Sequence, residues 1–318
     1  MFSLISGRGG TKPIPLEQDF DYRFAMTQDS SSLDKLRREI DRIDESIHDL
    51  LIQRSALVER IANAKGETVT VLRPGREAEI LRRLLARHRG QFPRMALVRI
   101  WREMIGALLA IQAPFAVAVQ STGTGPGTDF VELARNHFGV VVPLQVCRTA
   151  GQVVRAVADG EASAGLVPMP AGIELADEPE PWWASLAVGS GEAPRVVARL
   201  PFVMPPQSTG AAEPTQALVI ACRDHDETGD DRTLAVLETG PDVSRDRLRA
   251  AMSAGGLESA GLLAICRRGD VWLHLIEIHG HVAVGDPRLA RLAALRETVA
   301  HVSVIGGYAT PLPPESIA

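Results

Sequence analysis

The chain has 318 residues, 45% hydrophobic and 23% charged, with a formal net charge of −5. That length allows two or three domains with real cores, and the acidic balance gives no reason to expect a nucleic-acid partner. Three widely spaced cysteines, Cys147, Cys222 and Cys266, offer no metal or disulfide pattern, and the absence of a membrane-length apolar run or signal-peptide core predicts a soluble, cytoplasmic protein.

Residues 1–30 carry Gly, Pro, charges and a serine run without periodicity, and they read as a disordered tail. Met26 is a second candidate translation start, and Ser32 a candidate N-cap. A first helix is predicted over Leu33–Lys65, where Leu36, Ile40, Ile43, Ile47, Leu50, Leu57 and Ile61 recur at helical spacing. Gly66 ends it, and Glu67–Pro74 form a loop punctuated by Pro74-Gly75. A second helix is predicted over Arg76–Arg89, with Ile80, Leu81, Leu84 and Leu85 inward. A third is predicted over Arg94–Gln112, carrying Leu97, Ile100, Trp101, Met104, Ile105, Leu108 and Ile111. Three helices, one very long, cannot all bury their stripes within one chain. This all-α domain, residues 31–113, is therefore expected to dimerise through its long helix.

From Phe115 the pattern changes. Strands are expected at 115–120, 141–147 and 164–169, with helices at Thr128–Phe138 and Ala150–Ala158 between them. The result is a parallel βαβαβ unit within residues 114–225. Residues 171–214 are rich in breakers and read as irregular, and a strand resumes at 217–222. Residues 230–310 read as βαββαβ, a ferredoxin-like α+β unit. Its strands are 233–238, 262–267, 271–278 and 301–306, and its helices are Val243–Ala254 and Pro287–Glu297.

Two cations interrupt the apolar stripe of the first helix. Arg54 and Lys65 are eleven residues apart, close to three full turns, so both face the same way. A cation on a buried face needs an anion, supplied either by an internal ion pair or by a ligand. Arg37 lies seventeen residues before Arg54, about 25 Å along a helix, so one small ligand can meet both only if Arg37 comes from a second chain. Otherwise Arg37 is a solvated neighbour of Arg38. Arg76-Glu77 opens the second helix, where an acid is favoured by the dipole, and Gln112 closes the third.

The runs LRREIDRIDESIHDLLIQRSALVERIANAK and RPGREAEILRRL, with a helix ending LLAIQ, resemble the all-helical class of chorismate mutases over about residues 33–112. The resemblance implies that Arg37 from the other protomer, Arg54 and Lys65 bind the carboxylates and ether oxygen of chorismate. It implies that Glu77 binds the ring hydroxyl, that Gln112 binds the ether oxygen, and that Arg76 lines the pocket. Arg73 and Leu108 depart from it, standing where an aspartate and a serine are usual. The implied reaction is a unimolecular rearrangement to prephenate in aromatic amino acid biosynthesis, needing no cofactor and no metal. The enzyme's task is to hold a compact dianion and to stabilise charge developing on the ether oxygen.

The C-terminal half resembles the prephenate dehydratase and ACT units of the bifunctional enzymes that carry such a mutase. AVADGEASAGLVPM and PTQALVIACR carry the first likeness, and LHLIEIHGHVAVGDPRLARLAALRETVAHVSVIGGYATP the second. Met169-Pro170-Ala171 and Thr215-Gln216-Ala217 depart from the dehydratase motifs, and the stretch between them is too short for a second lobe. The expectation is a cytoplasmic, homodimeric chorismate mutase whose C-terminal half lacks dehydratase activity and is structural or regulatory. The alternatives are a bifunctional mutase/dehydratase and a non-catalytic, amino-acid-responsive regulatory protein.

Overall fold

The structure, a computed structural model, describes residues 18–65, 71–121, 130–170, 172–174, 181–188, 193–205 and 214–317. Packing divides the chain into two compact units, residues 1–64 and 65–318.

In the first unit, α1 (Gln18–Lys65) is a single helix of 48 residues. It begins before the predicted Leu33, so Ser32 lies inside the helix and is not its N-cap, and the residues from Gln18 expected in the disordered tail are helical. The physical reason is an absence of breakers: from Gln18 to Lys65 there is neither Gly nor Pro, and a serine run alone does not stop a helix. The rest of the expected tail, residues 1–17, lies outside the described residues, as do 66–70 of the predicted loop.

The second unit opens with α2 (Pro74–Arg87) and α3 (Arg94–Gln112). Pro74, predicted as punctuation, sits in the first turn of α2, where its missing N–H and fixed φ suit a helix start. A parallel trio follows: β1 (Val117–Gln120), β2 (Leu144–Cys147) and β3 (Ala164–Pro168), with α4 (Phe130–Phe138) and α5 (Ala150–Ala158) between them. Three elements fall in the stretch predicted as irregular: β4 (Gly172–Glu174), α6 (Trp182–Leu186) and β5 (Arg195–Leu200). Pro194 and Pro201 bracket β5, which disguised a six-residue strand as loop. β6 (Ala217–Ala221) runs antiparallel to both β3 and β5.

The βαββαβ unit forms as expected from β7 (Asp231–Thr239), α7 (Arg245–Gly255), β8 (Ser259–Arg268), β9 (Val271–His279), α8 (Pro287–Ala293) and β10 (His301–Ala309). Within it the strand order is β10-β7-β9-β8, all antiparallel. The two predicted α/β units are nevertheless not separate bodies. One ten-stranded sheet runs β2-β1-β3-β6-β5-β10-β7-β9-β8-β4. Its halves meet where Gly306 on β10 pairs with Val196 on β5. Gly306 has φ +126°, and a Cβ there would stand 2.1 Å from the Val196 carbonyl oxygen, so only glycine fits the joint. One core spans both halves, with Val167 and Leu218 packed in the same cluster as Leu234, Leu275 and Tyr308. Across the joint, Arg199 on β5 donates to Gln216 and to the Tyr308 hydroxyl, and pairs with Glu277 on β9 at 3.5 Å.

The predicted boundary near residue 113 is likewise crossed by packing. Leu81 and Leu85 of α2 and Val98 of α3 share a cluster with Phe202, Val203 and Ala309 of the sheet body. Gly106 lets α3 lie against α4, since a Cβ there would come within 1.7 Å of the Phe138 carbonyl oxygen. The second and third helices bury their faces on the α/β body because it offers a far larger apolar surface than two short helices offer each other.

Candidate functional site

On α1 the apolar stripe is laid out as predicted but stays in water: Leu36 is 54% exposed, Ile43 54% and Ile47 52%. Arg54 lies on the same stripe and is half-buried. One of its terminal guanidinium nitrogens is out of contact with water and has no hydrogen-bond partner, and burial pulls its pKa down. A guanidinium nitrogen withdrawn from water is costly unless an acceptor meets it. Arg37 is exposed and pairs with Asp34 one turn earlier, at 3.1 Å, which is how a solvated arginine behaves in a lone chain. Lys65 is the last residue of α1, and its side chain lies outside the described residues.

The start of α2 is held by a polar clamp. Arg223 donates to the Leu72 carbonyl and pairs with Asp226, whose other oxygen accepts from the Gly75 amide at 3.2 Å. Arg82 donates to the Thr310 carbonyl at 3.0 Å and the Asp230 carbonyl at 2.8 Å. Arg73, where the resemblance favours an aspartate, lies 3.9 Å from Asp226 and so serves this clamp. Arg76 points to solvent and pairs with Glu79 at 2.9 Å.

Glu77, the next residue, is buried at 6% exposure, and Arg102 of α3, also buried, donates to its Oε2 at 2.7 Å. Burial pushes the Glu77 carboxyl up, and Arg102 pulls it back. Gln112 donates from Nε2 to the Leu108 carbonyl at 2.9 Å, within its own helix. Arg102 and Gln112 are ten residues apart on α3, about 15 Å along its axis. Among the described residues no hydrogen bond or ion pair joins Glu77 to Gln112. The second unit therefore brings Glu77 together with Arg102, which sequence reasoning missed, and not with Gln112. The signal was present: Arg102 follows Val98 by four residues and precedes Ile105 by three, the same kind of cation on an apolar face that singled out Arg54.

α3 also has a second apolar face. Ile100 and Ile111, three turns apart, are 51% and 49% exposed. The α1 stripe and the Ile100–Ile111 edge of α3 are thus exposed in a single chain, while Ile105 and Leu108 of α3 are buried. Among the described residues no group of three or more His, Cys, Asp or Glu is placed to hold a metal ion, and no helix is long and apolar enough to cross a membrane.

Residues 36–113 match the family model of chorismate mutase type II. A bifunctional chorismate mutase/prephenate dehydratase of Aquifex aeolicus is 36% identical over 148 residues, which is 45% of this chain and 40% of that protein. The chain thus matches well under half the length of that relative. Among solved structures, one titled as a novel type of quorum quenching acylase aligns with TM-score 0.43 and 17% identity, over 61% of this chain and 95% of that one. Prephenate dehydratase from Streptococcus mutans aligns with TM-score 0.42 and 16% identity, over 62% of this chain and 99% of that one.

Proposed function

We propose that the protein is a cytoplasmic, homodimeric chorismate mutase that works without a cofactor. The observation that carries this reading is Arg54, a half-buried guanidinium with an unpartnered nitrogen, inside a segment that matches the type II mutase family. The exposed stripes of α1 and α3 support a homodimer, because a second copy would cover them with like apolar surface.

In the proposed mechanism Arg54 and the partner chain's copy of Arg37 clamp the two carboxylates of chorismate as bidentate guanidinium pairs. They hold the substrate in its compact conformer, so the barrier falls mainly through orientation. Lys65 and Gln112 donate to the ether oxygen as its bond breaks and negative charge builds there. Glu77, oriented by Arg102 through Oε2, accepts the ring hydroxyl on Oε1, and Arg76 contributes positive potential at the mouth. Binding would release Gln112 from Leu108 and Arg37 from Asp34, both exchanges of one exposed or helix-end contact for a stronger one.

The C-terminal half is proposed to lack dehydratase activity. Met169-Pro170-Ala171 supplies no carboxylate or amide where the dehydratase motif has them, and Gln216 is engaged by Arg199. Loss of chorismate absorbance with purified protein tests the main reading. Acid-labile prephenate, with phenylpyruvate appearing only after acid, is the expected result. Phenylpyruvate without acid would make the enzyme bifunctional, and an unchanged chorismate signal would end the mutase assignment. Sedimentation of Ile43→Asp against the parent tests the dimer, which the charge should dissociate.

A further inference from the structure

Outside the residues assigned to chorismate, the second unit holds a cavity of about 360 Å³ between α3, α4 and the segment that leaves β5. Its volume suits a single ring with a short substituent. The lining is mainly apolar and includes Val98, Leu200, Phe202 and the prolines at 201, 205 and 214, with the Arg102 guanidinium 5.7 Å from the centre of the Phe202 ring. Such a surface rewards a flat apolar body.

The polar groups are few. Arg102 lines the cavity, but its charge is matched by Glu77. Arg99, one residue-turn away at the exposed rim, makes no ion pair among the described residues. Asn136 stands on the exposed face of α4 at the same cavity. His137 beside it is 7% exposed, and its Nε2 has no hydrogen-bond partner. Burial, helped by the Arg102 charge, holds that imidazole well below its usual pKa, so it is neutral and adds no cation. Glu132 also lines the cavity. The exposed Arg99 guanidinium, a neutral imidazole and an apolar slot together favour one negative charge on one ring.

We propose that this cavity binds a compact aromatic monocarboxylate, its ring on Phe202 and its carboxylate on Arg99. A guanidinium takes such a carboxylate bidentately. Because Arg102 belongs both to the cavity wall and to the Glu77 pair, occupancy is communicated to Glu77, and that consequence alone rests on the mutase reading.

The test is calorimetric titration of the full-length protein with phenylacetate. Saturable one-to-one binding is expected, tenfold or more weaker for phenylacetamide and for Arg99→Gln. Asn136→Trp should block the mouth and abolish binding while melting like the parent, since Asn136 is exposed. Absence of saturable binding at millimolar phenylacetate, or equal affinity in Arg99→Gln, overturns the proposal. Chorismate turnover is measured on the same samples. Phenylacetate binding in a protein without turnover counts against the mutase reading and leaves the cavity assignment standing.

Discussion

Arg102 on α3 donates to Glu77 on α2 at 2.7 Å, and both side chains are nearly withdrawn from water. A buried pair of this kind is weak evidence for net stability, but breaking it is costly because the surviving charge stays buried. Arg102→Met should therefore destabilise the protein by roughly 3–5 kcal/mol, whereas Arg102→Met with Glu77→Leu should recover most of the loss. Urea unfolding of the four-member cycle measures this. A loss in the double variant equal to the sum of the two single losses would show that the pair has no coupling.

The helical segment should not fold by itself. Leu81, Leu85 and Val98 find their core partners in Phe202, Val203 and Ala309, and full burial of each such side chain is worth about 1.5–3 kcal/mol. A fragment of residues 31–113 loses all of these partners together with the Arg82 bonds to Asp230 and Thr310. We expect no cooperative thermal transition by circular dichroism. A sharp melt of the isolated fragment would show that the sheet body is dispensable.

Gly306→Ala should open the joint between the sheet halves. The new methyl group meets Val196 backbone atoms at 2.1–2.8 Å, in a positive-φ conformation that alanine disfavours. A loss of roughly 3 kcal/mol or more is expected in chemical denaturation. Gly240→Ala is the control, because nothing lies within 4 Å of a Cβ there. Similar stability for the two variants would refute the role of the joint.

His225 should make stability fall as the solution is acidified. Burial first, and then neighbouring His281 with its ring 4.4 Å away, lower its pKa to about 4, against the opposing pull of Asp231, Asp224 and Asp226. Between the unfolded value near 6.5 and about 4, the unfolded chain binds a proton that the native one refuses. Stability is therefore fully present above pH 6.5 and lost as pH drops through this window, by up to roughly 3 kcal/mol. His225→Gln should flatten that part of the profile relative to the parent. Parallel pH profiles would remove His225 as the cause.

Lys65→Ala should lower chorismate turnover by about 10²–10³-fold, the usual cost of removing a preorganised donor to developing charge. Steady-state assays at saturating chorismate check this, and near-parental kcat in the variant would free Lys65 from the proposed mechanism.

Periodicity alone determined much of this protein. The stripe from Leu36 to Ile61, the bounds of α3 and α5, and the βαββαβ order were legible because side-chain direction repeats every 3.6 or 2 residues. The anomaly at Arg54 was legible for the same reason: it breaks a local pattern. Tertiary structure decided what no local pattern records. It took α2 and α3 from the expected helical domain onto the sheet body, because Phe202 and Ala309, over a hundred residues away, offer the larger apolar surface. It fused two α/β units into one sheet through the close approach of Gly306 and Val196. It also gave Glu77 a partner, Arg102, on another helix, since charge pairing across elements depends on how helices dock and leaves no periodic trace in either.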